Sequence, residues 1–404
     1  MLKWWFAIPF WQRVLGAFAL GMIIGALSPA TGVALKPLGD LFIRAITMLV
    51  APLIFCAIVT AITDLNDGQK LGRLGAKTLG LFMFTAVIAS AIGLTLASLI
   101  DMSPAVTLTA SEQTEKQIPS IAQVFLNFVP SNPFAALSQG NVLQIVVFAA
   151  VIGIAIQKVG SKADALRRTI KSGAEVMYEV TRMVLQLTPI GVLGLMAWVI
   201  GEYGFSSLLP LAKFVGVIYL AAAVQIIFVY GSLVRWFGKL SPLEFFKSVF
   251  DAQIVAFTTC SSFGSLPAAH RAVTERLRVS KEYASFVLPL GATINMDGCG
   301  GIYPAVAAIF IANLYGIPLE LFDYALIMLT ATLASVGTAG VPGTALVMLT
   351  VTLNVVGLPL EGIAFIAAID RIIDMVRTLT NVTGDMMVAR VVAKSENLLT
   401  PEST

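Results

Sequence analysis

A stripe of polar side chains near the end of this sequence has the residue types and the spacing of a ligand-binding site. Its members are Asp374, Arg377, Thr378, Asn381 and Asp385. On an α-helix these positions project within an arc of roughly 100°, and the other faces of that helix are mainly apolar. A charge inside a membrane helix costs on the order of 3 kcal/mol or more, which makes a functional site the default interpretation. The alternative is a structural ion-pair network between packed helices.

The composition predicts a protein that lies mostly within a lipid bilayer. Of 404 residues, 57% are hydrophobic and only 12% are charged, and the mean hydropathy is +0.88. Such a chain cannot cover a soluble surface with charge, so we predict an all-α polytopic membrane protein. The net charge of +3 comes without a basic run interleaved with aromatic residues, and we expect no nucleic-acid partner. The three scattered cysteines predict no disulfide framework, and a single histidine excludes a multi-histidine metal site.

Eight apolar segments are long enough to cross the bilayer as helices. They lie at about 12–30, 41–62, 78–100, 140–158, 177–200, 208–234, 283–312 and 361–389. Two further apolar segments, at about 243–269 and 320–355, are interrupted midway by small and helix-breaking residues. We predict that each of these two is a re-entrant helical hairpin, which enters the membrane, turns at mid-depth and returns.

The distribution of Lys and Arg predicts the orientation of the chain. The linkers after the second, fourth and sixth spans, and after the first interrupted segment, are rich in these residues, whereas the alternate linkers are nearly bare. Because short cytoplasmic loops carry the excess of positive charge, we expect both termini in the cytoplasm. The first hairpin then enters from the cytoplasm and the second from outside, which makes them an inverted pair. No cleavable signal peptide is evident at the start of the sequence.

Interrupted helices of this kind are typical of transporters. Backbone without hydrogen bonds is tolerated in a membrane only where protein or water satisfies it. Inverted pairs of broken helices place a substrate site at mid-membrane. A third break spans 291–301, where Thr293, Asn295 and Asp297 precede three glycines and would suit a hard cation bound by oxygens. The alternatives are Gly and Pro kinks in packed helices, and an Asp297 that only caps a broken helix.

Several ordered motifs together resemble the glutamate transporter family, the dicarboxylate/amino acid:cation symporters. They are Met48–Phe55, the serine pair of the first hairpin, Asn295–Gly298, Gly340–Gly343 and Asn381–Asp385. The resemblance covers essentially the whole chain. It implies an elevator-type secondary transporter that is driven by cations without ATP and forms a homotrimer in the cell (inner) membrane. Its scaffold part would comprise about 12–75 and 120–205, and its transport part about 78–100 and 208–395.

The resemblance also implies the substrate-binding residues. Arg377 would hold the side-chain carboxylate of an acidic amino acid, because a guanidinium binds a carboxylate through two parallel hydrogen bonds. Asp374 would take the ammonium group, and Thr378 would support the same pocket. The residues that would meet the α-carboxylate are Asn381 and the backbone at Ser261, Ser262 and Val341. Cys299 stands at the pocket floor, where the family usually has threonine.

Three cation sites follow from the same resemblance, and Na⁺ is the expected ion. The first is Asp385 with the carbonyls of Gly291, Asn295 and Asn381. The second is formed by the carbonyls of Thr293, Ser335 and Thr338, and the third by Asp297, Asn295 and Thr85. In the third span, Phe82 and Ala86 replace the tyrosine and serine of sodium-binding members. This replacement leaves proton coupling open, either instead of sodium or in addition to it.

Near the substrate pocket the chain departs from the family. Many bacterial members carry an arginine where this chain has Cys260, and animal members carry one where it has Met375; Arg371 lies one turn before Met375. The leading interpretation is a cation-coupled importer of aspartate or glutamate. The alternatives are a proton-coupled glutamate or C4-dicarboxylate symporter, a cystine importer and an anion channel. An intramembrane enzyme is disfavoured, because Ser261 and Ser262 have no evident base.

Overall fold

The computed structural model describes residues 8, 10–63, 68–103, 129–140, 142–204, 208–337, 344–367 and 369–400 of the 404. The α-helices of these residues are α1 (Phe10–Leu27), α2 (Pro29–Ala34), α3 (Lys36–Thr47), α4 (Val50–Thr63), α5 (Gly68–Leu99), α6 (Pro133–Gln139), α7 (Val142–Val159), α8 (Asp164–Leu185), α9 (Thr188–Tyr203), α10 (Leu208–Val224), α11 (Gly231–Trp236), α12 (Pro242–Thr259), α13 (Ser262–Arg271), α14 (Lys281–Ile294), α15 (Tyr303–Tyr315), α16 (Leu321–Gly337), α17 (Thr344–Val355), α18 (Ile363–Ala367) and α19 (Asp370–Ser395). Wider π-helical turns span Gln225–Tyr230, Ala272–Arg276 and Asp297–Ile302, and 3₁₀ turns span Gly160–Ala163 and Leu360–Gly362. The prediction of an all-α protein is confirmed for this part of the chain.

Some helices are long and apolar enough to cross a membrane, judged by length and composition. Within the described ranges these are Arg73–Leu99, Leu209–Trp236 and Lys281–Tyr315. Shorter apolar helices lie at Gln12–Leu27, Ala51–Thr60, Thr188–Glu202, Leu321–Leu333 and Ala345–Val355. That the chain crosses the membrane eight times stays a prediction.

Several of the predicted crossings are divided between consecutive helices, and two of them show how. The segment 41–62 is shared by α3 and α4, and the segment 177–200 is shared by α8 and α9. The second division has a local cause, because Pro189 stands in the first turn of α9. Proline is favoured there, since the missing N–H is one that a helix start leaves unpaired anyway.

Helix α19 is held inside the protein. Every residue from Thr380 to Ala393 is buried, and the helix packs against α12, α14 and the π-helical turn 297–302. A hydrophobic cluster drawn from α5, α11, α12, α13 and α14 surrounds its C-terminal half. The polar stripe therefore faces other parts of the protein rather than lipid.

Helices α12 and α13 pack against each other and correspond to the predicted first hairpin, whose re-entry into the membrane stays a prediction. Helix α12 ends because Cys260 adopts a left-handed conformation with φ of 54°. Helix α13 begins at once, since the Ser261 side chain accepts a hydrogen bond from the Gly264 N–H at 3.0 Å and caps its first turn. The chain thus reverses over only two residues, Cys260 and Ser261.

The predicted second hairpin corresponds to α16 and α17, which also pack against each other. Residues 338–343 between these two helices, which include the predicted Thr338 and Val341, lie outside the described residues. Helix α16 supports the third break, between α14 and the turn 297–302. The Ser335 hydroxyl donates to the Ile294 carbonyl at 3.0 Å and accepts from the Met296 N–H at 2.9 Å. Backbone groups freed by the break are therefore satisfied by protein.

The segment after α19 ties this helix to distant parts of the chain. The Ser280 N–H donates to the Leu398 carbonyl at 2.9 Å, and the Thr400 N–H donates to the Arg278 carbonyl at 2.8 Å. Glu396 forms ion pairs with Lys77 and, at 2.5 Å, with Arg73, both on α5. These contacts fix the C-terminal end of α19 against α5 and the start of α14.

Candidate functional site

Arg377 lies fully buried in an ion-paired trio with Asp370 and Asp374. Its Nη2 atom donates to Asp370 Oδ1 at 2.8 Å and lies 3.1 Å from Asp374 Oδ1. The side chain of Arg377 is 0% exposed, and those of Asp370 and Asp374 are 10% and 4% exposed. All three residues belong to α19 and share one face, because they are three, four and seven positions apart. An ion-pair network is thus present, but within one helix rather than between packed helices.

The ion pairs use only part of the Arg377 guanidinium. Among the described residues, neither Nε nor Nη1 has a hydrogen-bond partner, although both atoms are buried. The guanidinium carbon lies 4.1 Å from the centre of the Tyr303 ring, which gives a cation–π contact but fills neither N–H direction. A buried charged donor without a partner costs about 1–3 kcal/mol or more. The arrangement is therefore suited to receive an anionic ligand.

Asn381 joins α19 to the third break. Its Oδ1 atom accepts from the Gly298 N–H at 2.8 Å, and its Nδ2 atom lies 3.1 Å from Met296 Sδ and 3.2 Å from Cys299 Sγ. The turn comes this close because Gly298 has no Cβ; a Cβ there would overlap the Arg377 backbone. The structure thus brings Asn381 and Cys299 together beside Arg377, and their contact with a substrate stays a prediction. Thr378 is also buried on this part of α19, at 3% exposure.

The tip of the first hairpin reaches α19 near its N-terminal end. Arg371, which is partly exposed, donates from Nη2 to the Thr259 carbonyl at 3.4 Å. The backbone carbonyl of Ser261 accepts from both the N–H and the hydroxyl of Ser265, and Ser262 is buried at 3% exposure. The predicted contact of these serines with a substrate is a proposal, because the structure shows them as the cap and first turn of α13.

Asp385 and Asn295 form a buried polar pair further along the stripe. Asn295 Nδ2 donates to Asp385 Oδ1 at 2.9 Å, and the Asn295 Oδ1 atom has no hydrogen-bond partner in the described part of the chain. Gly291 lies directly against the same carboxylate, since a Cβ at this position would overlap Asp385 Oδ1. Three of the four predicted members of the first cation site, Asp385, Asn295 and Gly291, are therefore adjacent in the structure.

A second buried carboxylate, Asp297, is held by residues that the sequence analysis did not select. Its Oδ2 atom accepts from the Tyr230 hydroxyl at 2.7 Å and from Gln225 Nε2 at 3.1 Å. Gln225 Nε2 also lies 3.2 Å from the Thr85 carbonyl, which links the predicted member Thr85 to the same centre. The oxygens Asp297 Oδ1 and Gln225 Oε1 are buried and have no hydrogen-bond partner within the described ranges.

The remaining predicted cation ligands are only partly placed. Ser335 lies at the third break, but its hydroxyl is engaged with the backbone there. The Thr293 hydroxyl bonds back to the Leu290 carbonyl at 2.8 Å within α14. Among the described residues no three His, Cys, Asp or Glu side chains converge on one point that could hold a metal ion. A cation at these centres would therefore need amide, hydroxyl and carbonyl oxygens besides one carboxylate.

Three residues of the site were missed from the sequence, and two of them carried a signal. Asp370 lies four positions before Asp374 and seven before Arg377, so the spacing that defined the stripe includes it. Gln225 is an amide within an apolar stretch, which is itself unusual in a membrane helix. Tyr230 carried no signal that distinguishes it from an ordinary packing residue.

An all-helical chain with broken apolar helices and buried charges at the breaks has the architecture of a secondary transporter. A sequence model of the sodium:dicarboxylate symporter family matches residues 10–395, and the chain belongs to this family. It is accordingly a membrane transporter and not an enzyme.

Relatives that are named for different substrates are equally similar in sequence to this chain. A proton/sodium-glutamate symport protein of Geobacillus stearothermophilus is 36% identical over 96% of this chain and 94% of its own length. A proton/glutamate-aspartate symporter of Escherichia coli is 36% identical over 96% and 92%. A C4-dicarboxylate transport protein of Cupriavidus pinatubonensis is 36% identical over 96% and 91%. Overall identity therefore does not discriminate between these substrates, and the site has to.

Proposed function

We propose that this protein imports acidic amino acids, aspartate or glutamate, together with a cation, with Na⁺ as the first candidate. The observation that carries this proposal is the buried Arg377 guanidinium, whose Nε and Nη1 atoms lack hydrogen-bond partners among the described residues. A substrate carboxylate would supply acceptors for these two donors. Relatives named as proton/sodium-glutamate and glutamate-aspartate symporters support this substrate class.

The charges around Arg377 favour an amino acid over a plain dicarboxylate. The single positive charge of Arg377 faces two carboxylates, although one carboxylate would be enough to neutralise it. The longer contact, 3.1 Å, is that of Asp374. We infer that Asp370 holds the guanidinium while Asp374 receives the ammonium group of the substrate. A C4-dicarboxylate has no ammonium and would add two further negative charges beside these carboxylates. A cystine, which carries two amino acid ends, would use Asp374 in the same way.

The driving cation would bind where buried oxygens lack donors. The oxygens without partners in the described part of the chain include Asn295 Oδ1, Asp297 Oδ1 and Gln225 Oε1. Together with Asp385, Gly291 and the Thr85 carbonyl they offer the hard oxygen ligands that alkali cations take. The proposed site formed by Thr293, Ser335 and Thr338 would complete the set once the second hairpin closes. Protons remain the second candidate for the coupling ion, because Phe82 and Ala86 supply no oxygen side chains.

An elevator mechanism would move α5 and α10 to α19 as one transport part against a scaffold built from α1 to α4 and α6 to α9. Support comes from the hydrophobic cluster that joins α5 and α11 to α14 with α19, and from the C-terminal ties to α5. We propose in addition that the protein is a homotrimer with both termini in the cytoplasm. An anion channel is less favoured, because the charged stripe is compact and buried.

Uptake into vesicles tests the function directly. Purified protein in liposomes is given an inward Na⁺ gradient or an inward proton gradient, each imposed alone, and labelled aspartate is followed. We expect saturable uptake driven by the Na⁺ gradient and inhibited by glutamate more than by succinate. Uptake driven only by the proton gradient would show that the coupling ion is H⁺ and not Na⁺. Uptake of succinate in preference to aspartate would show that the substrate is a C4-dicarboxylate. Flux that does not saturate would indicate a channel.

A further inference from the structure

Arg371 is a charged residue near the site, and the resemblance to the family assigns no role to it. It is partly exposed, unlike the fully buried Arg377. Its Nη2 atom donates to the Thr259 carbonyl at the end of α12, and it has no ion pair in the described part of the chain. Asp374 follows Arg371 by three positions on α19, and Cys260 follows Thr259 in the chain. Arg371 thus lies, partly exposed, between the end of α12 and α19.

The three residues Arg371, Asp374 and Arg377 are evenly spaced on α19. Each arginine is three positions from Asp374, so on a helix the two arginines stand roughly 60° to either side of it and roughly 4.5 Å above and below it. A cation, an anion and a second cation therefore follow one another across the polar stripe. Aspartate and glutamate carry the complementary order of carboxylate, ammonium and carboxylate.

We propose that Arg371 binds the α-carboxylate of the substrate while Arg377 binds its side-chain carboxylate. This proposal deepens the proposed function and rests on it for the identity of the substrate. It makes Arg371 a determinant of specificity, because only a substrate with two carboxylates satisfies both arginines. The role suits its position, since a long, partly exposed side chain held by a single hydrogen bond of 3.4 Å can turn toward an arriving ligand.

The engagement of Asn381 supports the same assignment. Both polar atoms of its side chain already form hydrogen bonds, since Oδ1 accepts from the Gly298 N–H and Nδ2 donates to two sulfur atoms. An α-carboxylate that relied on Asn381 alone would compete with the contacts that hold the third break. A guanidinium offers two parallel donors to a carboxylate, and such charge-assisted bonds are roughly twice as strong as neutral ones.

The test compares ligands that each lack one group of aspartate. Binding of labelled aspartate to the purified full-length protein is measured at saturating Na⁺, in competition with two ligands. β-Alanine lacks the α-carboxylate, and asparagine lacks the charge of the side-chain carboxylate. In Arg371→Gln, we expect aspartate affinity to fall about tenfold to 100-fold, while the affinity for β-alanine stays unchanged. Arg371→Lys should recover part of the loss. Arg235→Gln, an exposed arginine on α11, is the matched control and should behave as wild type.

Several outcomes would overturn the proposal. Unchanged aspartate affinity in Arg371→Gln would show that Arg371 does not touch substrate. An equal loss for aspartate and β-alanine would show that it only supports the pocket. If Arg371→Gln does not fold, as judged by its melting temperature and its β-alanine binding, the Arg371→Lys variant is used instead. In that variant the affinity for aspartate should fall by a few-fold while the affinity for β-alanine stays unchanged, and any other result would overturn the proposal.

Failure of the proposed function gives a different result. In that case wild-type protein binds no aspartate, and the same variants are compared with succinate and with propionate, which has one carboxylate. The proposed role of Arg371 holds if Arg371→Gln lowers the affinity for succinate tenfold or more and leaves the affinity for propionate unchanged. Arg371 loses that role if both ligands are affected equally or neither is.

Discussion

The two ends of the polar stripe on α19 solve the problem of buried charge in different ways. At the Arg377 end, the guanidinium and two carboxylates neutralise one another within hydrogen-bonding distance. At the other end, Asp385 and Asp297 are buried with amide and hydroxyl donors, and no cationic side chain pairs with either among the described residues. Buried carboxylates without a positive partner are costly. We therefore propose that the first end suits a ligand of mixed charge and the second a cation that arrives from outside.

The largest effect is expected from removing the positive charge at the first end. Arg377→Cys leaves Asp370 and Asp374 buried without a partner, which should destabilise the fold by about 3–5 kcal/mol and abolish aspartate binding. The measurement is thermal unfolding in detergent together with labelled aspartate uptake. Adding Asp370→Asn to Arg377→Cys should recover part of the stability but none of the uptake. Normal aspartate uptake by Arg377→Cys would contradict the assignment of the whole first end.

A smaller effect, specific to the second end, is expected from Asp385→Asn. The change removes a negative charge while keeping the shape of the side chain. If cation and substrate binding are coupled, aspartate affinity at limiting Na⁺ should fall about 5- to 150-fold and recover at saturating Na⁺. Asp251→Asn, which changes a carboxylate on the exposed face of α12, is the control. A sodium titration identical to wild type would remove Asp385 from the cation site.

A still smaller effect is expected when one donor to Asp297 is lost. Gln225→Leu leaves the Tyr230 hydroxyl as the remaining donor to Asp297 Oδ2, at a cost of about 1–3 kcal/mol in stability. The same change at Gln253, whose amide donates to the neutral Thr383 hydroxyl at 3.0 Å, should cost about 0.5–1.5 kcal/mol. Melting temperatures compare the two variants, and only Gln225→Leu should also alter cation dependence. Equal behaviour in both respects would mean that Asp297 has no special part in cation binding.

The smallest effect is expected outside the membrane-spanning segments, at Glu396. The hydrogen bond from Lys77, aided by the charge of Arg73, lowers the pKa of this carboxyl below its usual range. A lowered pKa contributes stability above the ordinary pKa of glutamate and loses it as the pH falls through the lowered value. Glu396→Gln should therefore reduce the melting temperature slightly at neutral pH, and the difference from wild type should shrink under acidic conditions. A difference that grows with acidity would contradict the sign of this pKa shift.

The sequence predicted the elements of the site better than their partners. Helical spacing was enough to bring Asp374, Arg377 and Asn381 onto one buried face, because that spacing is set by the geometry of a single helix. It was also enough to include Asp370, which was nevertheless overlooked. Gln225 and Tyr230 could not be paired with Asp297 from the sequence, since they lie 72 and 67 positions away and meet it only through packing.

The breaks in the helices were predictable, but not the way in which they are stabilised. Glycine, proline and small polar residues marked the first hairpin and the third break. The role of Ser335 at the third break depends on a contact across 41 positions to Ile294. The divided crossings at 41–62 and 177–200 show the same limit, because hydropathy reports the length of an apolar stretch and not the continuity of its helix.

The contacts of Ser335 attach α16 firmly to the third break. Lifting α16 at this point would break the hydrogen bonds to Ile294 and Met296 and would separate a close fit with Gly300, where a Cβ would overlap the Ser335 backbone. Each buried bond lost would cost about 1–3 kcal/mol. Any rearrangement that separates α16 from the third break must therefore supply new partners for the Ile294 carbonyl and the Met296 N–H.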